Sequence, residues 1–189
     1  MAAIRVFTDA NVLYASVVRD LLMELGKAGV LTLLWSEEVH EEWTASLLRN
    51  RPDLHRSRVM RTRDLIVRAL PGAMVTNYER RARKLVLPDP RDRHVLAAAI
   101  TGEASVLLTF NIAHFPREIA DRCGIAVATP DNLFSTLLGV QPEAVIEAAT
   151  TARGRMRQPE LSPTQYVDAL KRAQLPATAA ELGKYANQL

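Results

Sequence analysis

The feature that most limits the fold is a regular alternation of short apolar runs with helical patterns along residues 3–138. Ala3–Thr8 (AIRVFT), Val30–Trp35 (VLTLLW), Ser105–Thr109 (SVLLT) and Ile125–Ala128 (IAVA) are short, apolar and rich in β-branched residues, and read as strands. Between them lie helical stripes. Val17, Val18, Leu21, Leu22, Leu25 and Ala28 share a face over 16–28, and Ser36 is an N-cap for a helix carrying Val39, Trp43 and Leu47. Further helices are expected at 52–70 (opened by Pro52), around 78–86, from Asp92 to Thr101, at 116–122 and at 131–138. Strands that are apolar throughout and alternate with helices specify a parallel sheet covered on both faces, an α/β/α sandwich.

After Gly139 the pattern changes. Pro142–Ala152, Pro163–Ala173 and Ala177–Gln188 are helical, and no convincing strand follows. Residues 1–139 are therefore expected to form the sheet domain and 140–189 a helical C-terminal extension, with Arg153–Pro159 connecting two of its helices. The single cysteine, Cys123, excludes an internal disulfide, and no Cys/His cluster suggests structural zinc. With no secretory leader and no apolar run near the roughly 20 residues of a membrane span, a cytoplasmic protein is expected.

Parallel sheets place their sites at the carboxyl ends of the strands. Asp9 ends the first strand. In the helix after Ser36, at about 100° per residue, Glu42 flanks the apolar stripe, Glu38 is an intermediate rival, and Glu41 faces water. In "VLPDPRDRHVLAAAI" (86–100), Asp92 shares the face of Val95, Leu96 and Ala99, while Arg93 and His94 are expected to point away. Asp89, followed by Pro90, belongs to the loop. Each acid alone has an ordinary explanation, as a turn former, a cap or a partner of the helix dipole. Three converging acids are different: they repel one another unless a cation neutralises them, and an all-oxygen set without histidine or cysteine suits Mg²⁺ or Mn²⁺. Such sites bind phosphates and activate water.

The net charge of +3 is unevenly spread: residues 49–84 carry +8 and the remainder −5. The basic block is dominated by arginine, whose fork matches phosphate oxygens; the alternative is a solvated helix face.

Four pieces, "VFTDANVLYAS", "WSEEVHEEWTASLL", "LPDPRDRHVLAAAI" and "VLLTFNIAHFP", together resemble a PIN-domain ribonuclease of the VapC toxin type, in order and over roughly residues 4–138. The resemblance makes Asp9, Glu42 and Asp92 the catalytic acids and metal ligands, with Thr8 and Asn11 flanking the first. Relatives often carry a further acid where Asn111 or His114 stands. Here Asn111 would coordinate a metal or its water through its amide oxygen, His114 would bind phosphate or assist proton transfer, and Asp89 would supply the missing carboxylate. The departure leaves a weakened second metal site and reduced activity as open alternatives. The resemblance further implies Mg²⁺- or Mn²⁺-dependent hydrolysis of RNA, with Arg56, Arg58, Arg61, Arg63 and Arg91 on the RNA backbone. A cognate antitoxin and a homodimer are the implied protein partners. A housekeeping PIN nuclease and an inactive RNA- or protein-binding PIN module are the competing readings. A phosphatase of the DxD type fits poorly, because Asn11 stands at its second position.

Overall fold

The computed structural model describes residues 3–157 and 160–189; of the expected 153–159 connection, Gln158 and Pro159 lie outside the described residues. The described chain runs β1 (Ile4–Thr8), α1 (Ala10–Tyr14), α2 (Ser16–Lys27), β2 (Leu31–Leu34), α3 (Glu37–Asn50), α4 (Arg56–Ala69), α5 (Glu79–Ala82), α6 (Arg93–Thr101), β3 (Val106–Leu108), α7 (Arg117–Arg122), β4 (Ala126–Ala128), α8 (Pro130–Val140), α9 (Pro142–Arg155), α10 (Pro163–Arg172) and α11 (Pro176–Gly183). It divides into two compact units, residues 1–14 with 31–128 and residues 15–30 with 129–189.

The first unit holds a four-stranded, wholly parallel sheet in the order β2-β1-β3-β4. This is the expected α/β architecture, with helices flanking the sheet. Val6, Phe7, Leu33, Leu34, Leu107 and Leu108 are buried in the strands, as their unbroken apolar character requires. Helix α6 packs on β1 and β3, and α5 on α6. Residues Val95–Ala99 of α6 are almost wholly inaccessible. The N-terminus of α3 is fixed as expected, since the Ser36 hydroxyl accepts from the Val39 N–H at 3.3 Å. Below it, Trp35, His40 and Trp43 form a buried ring cluster in which the Trp43 indole donates to His40 Nδ1 at 3.0 Å. The central strand order places the carboxyl ends of β1 and β3 side by side, with Thr8 paired to Leu108.

Two boundaries need correction: the helix expected around 78–86 is confined to Glu79–Ala82, and α4 starts later than expected. Pro52 does not open α4: residues 52–54 turn, with Arg51 gripping Asp53 at 2.6 and 2.8 Å, and the helix begins at Arg56. The short helix α1 carries no sequence signal; five residues are too few to show a period.

The second unit is helical. Helix α2 packs on α9, α8 on both α9 and α11, and α10 on α11. Its junctions are polar and specific. Asp131, in the first turn of α8, accepts from the backbone N–H groups of Ala177 and Thr178 at 3.0 and 2.8 Å, and Ser162 closes a capping box with Gln165. The grouping of 15–30 and 129–140 with the C-terminal helices follows packing and not the change of pattern at Gly139, because α2 packs on α9, and α8 on α9 and α11. No helix among the described residues is long and apolar enough to cross a membrane.

Candidate active site

Asp9 follows the last residue of β1 and is 6% exposed. Its carboxylate is held on every side. Oδ1 accepts from the Ala10 N–H at 2.6 Å, and Oδ2 accepts from the Asn11 amide and the Thr109 hydroxyl, both at 2.7 Å. The Asn11 amide also donates to Thr109 Oγ1 at 3.0 Å, and its carbonyl oxygen accepts from the Phe110 N–H. The parallel pairing of β1 with β3 makes this possible, because it brings residues 9–11 beside residues 109–110. Burial pushes the Asp9 carboxyl up most strongly. The Thr109 and Ala10 bonds pull it back down, and the charges of Glu42 and Asp92 push it up again, leaving it above the usual carboxylate range. The charges of Glu42 and Asp92 are thus felt at Asp9.

Glu42 stands on α3 with its side chain 47% exposed. His94 Nε2–H donates to Glu42 Oε1 at 3.0 Å, and His94 Nδ1 lies 3.6 Å from Glu38 Oε2. Tyr78 continues this row, its hydroxyl donating to Glu38 Oε1 at 3.0 Å. The outward orientation expected for His94 is therefore corrected. The residue is 9% exposed, because the flank of α6 that a lone helix would offer to water meets acids of α3. Burial acts most strongly on the His94 ring and disfavours its charge. The Glu42 bond and the charges of Glu42, Glu38 and Asp9 outweigh it, so the net shift is upward.

Asp92 sits at the N-terminus of α6. His114 Nδ1–H donates to its Oδ2 at 2.8 Å, so the residue expected to bind phosphate is bonded to an acid. Burial raises the Asp92 carboxyl, and the His114 bond and charge only partly offset that. Asp89 caps the turn at Pro90–Asp92 by accepting from the Arg91 N–H at 2.9 Å. It also takes the Arg91 guanidinium at 2.7–3.2 Å, which holds it down at about 2. Asp89, Asp92 and His114 offer ligand atoms that all lie within 4.8 Å of one another. Asn111 is exposed, and its backbone N–H donates to Thr109 Oγ1.

The basic block is on the surface. Arg56, Arg58 and Arg61 of α4 are exposed and form no ion pair among the described residues. Arg63 is engaged, pairing with Glu37 and with Asp64.

Carboxylate oxygens dominate this constellation, and its buried acid, Asp9, is raised in part by the charges of two more. A hard divalent cation suits such a donor set. Sequence reasoning missed His94, Thr109 and Tyr78 as supporting residues. Only the position of Thr109 at the carboxyl end of β3 was a readable sign.

A family model described as "PIN domain" matches residues 5–113, more than half of the 189 residues. The chain belongs to the PIN-domain family. A second model, described as "VapC50 C-terminal domain", matches residues 130–184, which begin at α8. This PIN domain is therefore followed by a C-terminal segment of the VapC50 type. Among curated proteins the chain is similar to one named "Putative ribonuclease VapC50" from Mycobacterium tuberculosis, 33% identical over 91 residues, 48% of this chain and 53% of that protein. The chain thus spans about half the length of the curated relative it matches. No solved structure matches the chain. The matched PIN segment contains Asp9, Glu42, Asp89, Asp92 and Asn111, and stops one residue before His114.

Proposed function

We propose that this PIN-domain protein is a divalent-metal-dependent endoribonuclease, the toxin of a toxin–antitoxin pair. The observation that carries the reading is the buried Asp9 carboxylate, held by Thr109, Asn11 and Ala10 within reach of the Glu42 and Asp92 charges. The family match and the name of the curated relative support the same activity.

Asp9, Glu42 and Asp92 would hold the cation, Mg²⁺ or Mn²⁺, with Asp89 or the Asn111 amide oxygen completing the set. A bound cation supplies Lewis-acid polarisation of the phosphate and makes water a stronger nucleophile at neutral pH. The protein's own share is positioning. Thr109 and Asn11 fix the direction of the Asp9 lone pairs, and His94 fixes Glu42. His114, on Asp92, is placed to orient that carboxylate. Arg56, Arg58 and Arg61 would hold the RNA backbone. Arg63 contributes less, because Glu37 and Asp64 already engage it. An antitoxin would cover the acids, and a homodimer is the assembly proposed.

Purified protein incubated with total RNA and Mg²⁺, Mn²⁺ or EDTA tests this. Cleavage should need the cation and disappear in Asp9→Asn and Asp92→Asn, and unchanged cleavage by either variant rejects the site. A second reading, an inactive RNA-binding PIN module, rests on Asn111 and His114 standing where the family resemblance implies a further acid. It predicts binding to RNA without cleavage under every metal condition. A small antitoxin-like protein encoded alongside supports the toxin role, and its absence supports a housekeeping nuclease.

A further inference from the structure

A cavity of about 290 Å³ shares His94 with the acid constellation. That is close to the roughly 300 Å³ at which ligand sites begin. Its wall includes Glu38, Tyr78, Arg83, Arg91, Arg93 and His94, all within the sheet-bearing unit. Three arginines line it together with the acids Glu38 and Glu79. Arg93 is the first residue of α6, and its Nε is buried without a hydrogen-bond partner among the described residues. Arg83 is exposed and forms no ion pair among the described residues. Arg91 is 88% exposed and spends Nε and Nη2 on Asp89, leaving Nη1 open. A buried N–H without an acceptor is costly, and an anion whose oxygens match the arginine fork removes that cost. The carboxylates in the lining can only accept. Glu38 uses one oxygen for Tyr78 and keeps lone pairs free, and Glu79 lines the same space.

We propose that this cavity is a nucleotide subsite beside the reacting centre, a reading that rests on the nuclease assignment. Arg93, Arg83 and Arg91 hold the phosphate next to the scissile one, and Glu38 and Glu79 take the amino-bearing edge of its base. His94 is the common wall, since it lines the cavity and bonds Glu42. Carboxylates accept but cannot donate, so cytosine, adenine and guanine, which present amino groups, are favoured over uracil.

The test is equilibrium binding of short single-stranded RNA to the full chain in EDTA, followed by fluorescence anisotropy. Arg93→Gln should weaken binding by about tenfold, the size of one charge-assisted contact. It should also flatten the dependence on log salt by about 0.7. Arg93→Lys, which keeps the charge and loses the fork, should fall between. Arg122→Gln, an exposed arginine outside the cavity, should match the wild type. Oligo(C) and oligo(A) should bind more tightly than oligo(U), and Glu38→Gln should shrink that difference. Circular dichroism melts establish that each variant is folded. Wild-type affinity in Arg93→Gln overturns the proposal, as does equal affinity for oligo(U). So does displacement of RNA by inorganic phosphate as effective as by a mononucleotide, which marks a simple anion site. Cleavage with Mg²⁺ is measured in parallel. Its absence from the wild type rejects the nuclease reading, whereas normal cleavage with unaltered Arg93→Gln binding rejects the subsite alone.

Discussion

His94 Nε2 lies 3.0 Å from Glu42 Oε1, so a residue of α6 orients an acid of α3 across the candidate site. Supporting bonds of this kind typically account for 10–100-fold in metal affinity or activity. His94→Ala should lower the cleavage rate by about that factor and raise the Mn²⁺ concentration needed for half-maximal rate. An unchanged Mn²⁺ titration would make His94 a packing residue.

Asp9 and Asp92 are both pushed above their ordinary range, so the folded state binds more protons than the unfolded chain between about pH 3.8 and their raised pKa values. Their contribution therefore makes the metal-free protein less stable as pH rises through that window, and levels off above it. Asp9→Asn should remove part of this slope in urea titrations. Mn²⁺ should raise the Tm of the wild type, by about 2.7 kcal/mol of stabilisation at a hundredfold excess over Kd, and should do so much less in Asp9→Asn.

His40 has the opposite sign. Burial, with a smaller push from Arg63, lowers it from 6.5 to about 4, and Trp43 donates to its Nδ1, which requires a neutral ring. Its contribution is complete above pH 6.5 and is lost as pH falls toward 4, worth roughly 3 kcal/mol across the window. Urea midpoints measured between pH 7 and pH 4.5 should drop steeply in the wild type. His40→Gln, less stable at pH 7, should give a flatter profile.

Gly102 ends α6 where the chain turns toward β3. A Cβ there would stand 2.8 Å from Val75 Cγ2 and 3.1 Å from Leu34 Cδ1. Gly102→Ala should cost about 1–3 kcal/mol by overpacking, read as a lower urea midpoint at constant slope. Wild-type stability would show that Val75 repacks freely.

Neutralising Arg56, Arg58 and Arg61 together should weaken RNA binding and flatten its salt dependence, by up to about 0.7 for each phosphate that no longer has an arginine beside it. Arg63→Gln alone should change the slope less, because Glu37 and Asp64 already share its charge. Equal slopes for the triple variant and the wild type would assign α4 to solvent.

Local pattern was sufficient for the strands and for the parallel sheet, since a run such as Val6–Phe7–Thr8 is apolar or buried on both faces only where helices cover both. It was sufficient, too, for Asp9 at the end of β1 and for the Ser36 cap, which depend on neighbours within three residues. Helical phase misjudged His94, because the periodicity of α6 separates its own faces and carries no information about the acids of α3 that cover one of them. Thr109 joins Asp9 from 100 positions away through the register of β1 on β3. Glu38 of α3 joins Tyr78, His94 and the arginines at 83, 91 and 93 around one cavity by the same kind of convergence, between segments that meet only once the chain is packed. Short-range periods and caps are written in adjacent residues. Charge partners and cavities depend on long-range proximity, and that comes into being when buried surfaces choose one another.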